Sequence, residues 1–159
     1  MAVLQVGDAA PSFTLPTSDG DPISLEHFKG HKVVLYAFPQ AFTPGCSIQA
    51  QDFRDAFPAF DGAGYTLVGL SPDTPAKLSG FAEELSLPYP LLSDTDHAVL
   101  DLYGAWGQKR TFGRNTVGVI RSTFVMDTEG ILTLVEYGVK APGYVPRLAA
   151  ELGIDWDGE

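Results

Sequence analysis

The chain has 159 residues, 45% apolar and 19% charged, a composition that builds a buried core and excludes a disordered or fibrous polymer. It is long enough for one compact unit and too short for two of ordinary size. The 20 acidic side chains against 10 basic ones leave a net charge of −10, a field that repels nucleic acid and acidic lipid surfaces.

Residues 13–25 (FTLPTSDGDPISL) carry turn residues Ser18-Asp19-Gly20-Asp21 between two apolar stretches and predict an N-terminal β-hairpin. Lys32 to Phe38 (KVVLYAF) is an unbroken apolar run, expected of a strand covered on both faces and therefore in mid-sheet. A helix then opens at Thr43-Pro44, with threonine as N-cap and proline in the first turn. Cys46, Ala50, Phe53, Phe57 and Phe60 recur along it as one apolar stripe, and Gln49, Gln51, Asp52 and Asp55 are assigned to its outer side.

Tyr65 to Leu70 predicts a second buried strand, and Thr74 to Leu85 a helix capped by Ser71-Pro72-Asp73. Ser122–Met126 and Ile131–Tyr137, joined by Asp127-Thr128-Glu129-Gly130, predict a second hairpin, and Tyr144 to Leu152 a closing helix. A parallel strand-helix-strand unit followed by a hairpin and a helix describes one α/β domain over residues 1–159. The expected architecture is a thioredoxin-like mixed sheet with helices on both faces and an N-terminal β-hairpin extension.

The N-terminus lacks the basic-then-apolar order of a secretory signal, and no run of about 18 apolar residues offers a membrane span, so a cytoplasmic location is expected. A lone cysteine, Cys46, cannot form an internal disulfide, which suits a reducing compartment. A thiol reacts as its thiolate, and the start of a helix favours an anion through free N–H groups and the positive end of the dipole. Cys46, three residues past the Thr43 cap, stands there. The Thr43 hydroxyl could also donate to a thiolate or an oxygen substrate, and Pro39, which offers no donor, could shield the sulfur from water.

The stretch Pro39-Gln40-Ala41-Phe42-Thr43-Pro44-Gly45-Cys46 resembles the P-x-x-x-T-x-x-C signature of the peroxiredoxins. Gly118 to Phe124 resembles the segment where that family keeps an active-site arginine, here Arg121, and Tyr103-Gly104-Ala105-Trp106-Gly107 looks like the bacterioferritin-comigratory (PrxQ-like) branch. The resemblance implies a thiol-dependent peroxidase, an antioxidant oxidoreductase that reduces hydrogen peroxide and organic hydroperoxides through a Cys46 sulfenic acid. It implies that Arg121 steadies the thiolate and holds the peroxide oxygens, that Gly45 and Cys46 add N–H donors, and that Thr43 and Pro39 complete the site. No cofactor and no metal are expected.

Many members of this branch carry a resolving cysteine five residues after the first, where this chain has Gln51, and often a glutamate where it has Gln49. A one-cysteine cycle is therefore expected, with recycling by an external thiol: thioredoxin, glutaredoxin with glutathione, or a small thiol. A monomer is expected, with a weak dimer as the other state. Arg110 and Arg114 are rival donors to Arg121, and Tyr103 and Trp106 are read as packing residues. The alternative is a non-catalytic thioredoxin-like binding or chaperone module. A disulfide-exchange enzyme lacks its C-x-x-C pair, and His27, His31 and His97 stand in no hydrolase or zinc motif.

Overall fold

Residues 3–111 and 113–156 are described by a computed structural model, in which the expected N-terminal hairpin pairs β1 (Thr14–Pro16) with β2 (Pro22–Ser24), Leu15 opposite Ile23. A short 3-10 helix at Leu25–Phe28 leads into β3 (Lys32–Ala37) and α1 (Pro44–Gly62). Then follow β4 (Tyr65–Ser71), α2 (Pro75–Leu85), β5 (Leu91–Ser93) and α3 (Ala98–Leu102). The chain continues through β6 (Trp106–Thr111), β7 (Arg114–Val119), β8 (Ser122–Met126), β9 (Leu132–Tyr137) and α4 (Tyr144–Glu151).

The main sheet has the order β5-β4-β3-β8-β9, so the apolar run at 32–37 is its central strand. β3 pairs in parallel with β4 and antiparallel with β8. Alternation along β3 divides the core in two. Val34 and Tyr36 face the layer of Phe53, Phe60, Phe81 and Leu148, while Val33, Leu35 and Ala37 face Phe13, Leu100, Tyr103 and Phe124. Both faces are buried, which is why the sequence shows no polar alternation there. Gly69 in β4 is required by this packing, because a Cβ at that position would lie 2.6 Å from Leu91 Cδ2 and 3.2 Å from the Phe38 ring.

α1 continues past Pro58, although proline forfeits one helical hydrogen bond. Complete burial of Phe53, Ala56 and Phe60 on either side outweighs that loss. Three features differ from expectation. α2 is capped by Thr74, whose hydroxyl oxygen accepts from the Lys77 N–H, while Asp73 turns inward. β5 and α3, of three and five residues, are too short to leave a periodic signal. β6 and β7 form a separate hairpin, Lys109 opposite Thr116, whose polar sequence carries no strand pattern. The 118–124 stretch spans the end of β7 and the start of β8.

Candidate active site

The sheet itself brings the site together. Register pairs Ala37, the last residue of β3, with Ser122, the first of β8, so the residue before Ser122 projects past the end of β3. That residue is Arg121, and the loop to Cys46 leaves from the same point. Ligand sites of open α/β sheets form at this carboxyl edge of the parallel strands.

The loop is held by Asp73. Its Oδ2 accepts from the Ala41 N–H at 2.7 Å and from the Ser71 hydroxyl at 2.9 Å, and its Oδ1 meets the Lys77 ammonium at 3.2 Å. Within the loop Phe42 takes φ +68°, a left-handed conformation unfavourable for a bulky residue, and its 47%-exposed ring rests edge-on against Phe81. A buried acceptor that anchors a strained loop has a testable effect. Asp73→Ala strands the Ala41 N–H and should cost about 1–3 kcal/mol in urea unfolding, whereas Asp73→Asn keeps an amide oxygen for that N–H and should lose less.

Cys46 is buried, with 1% of its surface exposed. Arg121 Nη2 donates to Cys46 Sγ at 3.2 Å, and Nη1 of the same guanidinium donates to Gln49 Oε1 at 2.6 Å. Gln49, assigned by the sequence to the outer side of α1, is completely buried. A residue three positions after Cys46 shares its helical face, so the buried face of α1 is wider than its apolar stripe. An amide thus binds the arginine where the branch often has a glutamate, and among the described residues its Nε2 has no partner. Gly45 makes room for the guanidinium, since a Cβ there would stand 3.3 Å from Arg121 Nη2.

Thr43 is the N-cap by backbone position, but its hydroxyl makes no capping bond and donates instead to the Gln40 carbonyl at 2.7 Å. The first helical bond comes from the Ser47 N–H to the Thr43 carbonyl, so the N–H groups of Gly45 and Cys46 precede it. Pro39 lies half-buried on the bend after Phe38. Arg114 is exposed on β7, and the side chain of Arg110 lies outside the described residues. Trp106 stacks on His97 with ring centroids 3.9 Å apart, and Tyr103 is buried against Phe124, so both are packing residues as expected.

Beneath the site Tyr36 is fully buried, its hydroxyl 2.8 Å from that of Tyr89, which donates to the Ala50 carbonyl at 3.0 Å. Tyr89 has one hydroxyl proton, so Tyr36 is the donor to Tyr89. Burial holds Tyr36 far above the ordinary tyrosine range, so it stays a neutral member of the core at physiological pH.

Residues 6–135 match the AhpC/TSA family. The chain belongs to that family, the peroxiredoxins. This peroxiredoxin is 43% identical over 130 residues to Peroxiredoxin Bcp of Escherichia coli K12, across 82% of this chain and 83% of the relative. A Mycobacterium tuberculosis (strain H37Rv) relative named as a peroxiredoxin is 48% identical over 151 residues, 95% of this chain and 96% of its own. The structure of Peroxidoxin BcpB from M. tuberculosis superposes with a TM-score of 0.83 at 32% identity, covering 94% of this chain and 97% of that one. Xanthomonas campestris Peroxiredoxin Q gives 0.83 at 31% identity, covering 89% and 90%. The peroxiredoxin is thus a thiol-dependent peroxidase of thioredoxin-like fold, with a peroxide and a thiol as its two substrates. No helix among the described residues is long and apolar enough to cross a membrane.

The sequence pattern singled out Cys46, Thr43 and Pro39, and the family resemblance added Arg121. It missed Asp73, whose place beside Thr74 made it look like a cap, and Lys109, which the β6–β7 hairpin carries to the site's edge. A signal for Asp73 existed in Ser71 two residues earlier, a pair suited to a local side-chain turn.

Proposed function

We propose that this peroxiredoxin, acting as one cytoplasmic domain and as a monomer, reduces hydrogen peroxide and organic hydroperoxides by a one-cysteine cycle. The observation that carries the proposal is the 3.2 Å bond from Arg121 to the sulfur of the single cysteine. A positive charge donating to sulfur favours its ionised form. The first-turn N–H groups of Gly45 and Cys46 add donors at the same point.

The thiolate of Cys46 attacks the terminal peroxide oxygen. The S–O bond forms as the O–O bond breaks, leaving Cys–SOH and an alkoxide or hydroxide that takes a proton and departs as alcohol or water. Arg121 neutralises charge as it moves from sulfur to the leaving oxygen. Because the Thr43 hydroxyl donates to Gln40, its lone pairs are open, so its role is to accept a hydrogen bond from the peroxide O–H rather than to donate one. Pro39 shields the sulfur, and Gln49 holds the guanidinium at the angle that reaches it.

With no second cysteine, one external thiol converts the sulfenic acid to a mixed disulfide and water, and a second thiol releases Cys46. Thioredoxin, glutaredoxin with glutathione and small thiols all fit that chemistry. A reducing cytoplasm suits a residue that must return to thiol each turn. Peroxide titration followed by intact-protein mass tests the reading. One equivalent of hydrogen peroxide should add one oxygen atom within seconds, and the tryptic peptide bearing Cys46 should hold it. Oxidation that is slow and needs large excess would instead indicate a non-catalytic binding module.

A further inference from the structure

Lys109 belongs to none of the steps above, yet its charge lies at the edge of the site. Its stem crosses Gly118 of β7, where a Cβ would stand 3.5 Å from Lys109 Cε, and its ammonium donates to the Val119 carbonyl at 2.8 Å. Val119 is two residues ahead of Arg121, so this bond anchors a second cation to the same short segment that carries the guanidinium touching sulfur. Burial first, and then Arg121, hold the Lys109 ammonium below the ordinary lysine range, while Cys46 opposes them. Lys109 therefore lies within electrostatic reach of both groups.

Ion pairs among the described residues engage Arg54, Lys77 and Arg147, but neither Lys109 nor Arg121 has a carboxylate partner. The two cations therefore offer uncompensated positive charge locally, in a chain of net charge −10 whose general field repels anions. An ammonium has three donors, and Val119 occupies one. Among the described residues nothing else takes the other two N–H groups, which are open to a ligand.

The geometry points to Lys109 as a specificity-determining residue that forms, with Arg121, a carboxylate subsite beside Cys46. The subsite favours reactants that carry a carboxylate close to the reacting atom. Either reactant could use it, the hydroperoxide that oxidises Cys46 or the thiol that reduces the sulfenic acid. This inference rests on the thiol-peroxidase reading, and the test separates the two.

Stopped-flow rate constants are measured for γ-hydroperoxyisocaproate and its methyl ester in the oxidising step. The same is done for mercaptoacetate and mercaptoacetamide in the reducing step. The readout in each arm is the ratio of the carboxylate rate to the neutral rate, which cancels any general loss of reactivity. In Lys109→Gln at least one ratio should fall roughly five- to tenfold, the scale of one partly screened charge pair, and further in Lys109→Glu. The arm in which it falls names the reactant.

Lys109→Arg should hold the wild-type ratio. Arginine and glutamine both retain a donor for the Val119 carbonyl, so a loss in the glutamine variant alone is due to charge and not to a loosened hairpin. Ratios equal to wild type in both arms for Lys109→Gln and Lys109→Glu would overturn the subsite and leave Lys109 as a tether between β6 and β7. Wild-type protein that turned over neither hydroperoxide would instead overturn the peroxidase reading.

Discussion

Replacing Cys46 with serine should lower thiol-dependent peroxide consumption by roughly 10³-fold or more, the scale on which loss of a nucleophile acts. A serine hydroxyl is essentially un-ionised at neutral pH and forms no counterpart of the sulfenic acid. No other residue can substitute, because the chain has no second cysteine. The fold should survive the exchange. Cys46 is buried against Arg121, and a serine oxygen can accept from the same Nη2, so the guanidinium keeps its partner. Coupled peroxide assays with circular dichroism as a control give the answer. A folded serine variant with wild-type turnover would remove Cys46 from the chemistry.

The parts of the molecule legible in the sequence are those built from local pattern. The 32–37 run announced a strand buried on both faces because both sets of alternating side chains must leave water. Thr43-Pro44 announced the start of α1 because each residue suits its position by backbone geometry. What the pattern left out depends on contacts across the sheet. Thr43 makes no side-chain cap and turns its hydroxyl to the Gln40 carbonyl, and Asp73 faces inward, where a loop 32 residues away offers an N–H. Gln49 looked like a solvent-side residue until a guanidinium 72 positions later turned out to be its partner. A polar side chain is read as exposed unless its partner is known, and here the partner lies in the link between β7 and β8. The β6–β7 hairpin was missed for a related reason: it packs little apolar surface, so no periodicity records it.

Arg121→Ala should slow the peroxide step about 10²- to 10³-fold, corresponding to the roughly 3–4 kcal/mol that one well-placed transition-state donor supplies. Two losses combine there. The sulfur loses the cation that donates to it at 3.2 Å, and the departing oxygen loses the charge that would receive it. The variant also leaves the Gln49 amide, already lacking a partner for Nε2, without one for Oε1, which should cost about 1–3 kcal/mol of stability. Lysine at this position separates charge from geometry. An ammonium restores a positive centre, but it lacks the planar fork that reaches Gln49 and the sulfur together, so Arg121→Lys should recover only part of the rate. Gln49→Leu removes the anchor while leaving the arginine, and its deficit should be smaller than that of Arg121→Ala. Single-turnover peroxide kinetics order the variants. If Arg121→Ala reacted as fast as wild type, the guanidinium on the sulfur would be a structural contact and the charge stabilisation would have to come from the first turn of α1 alone.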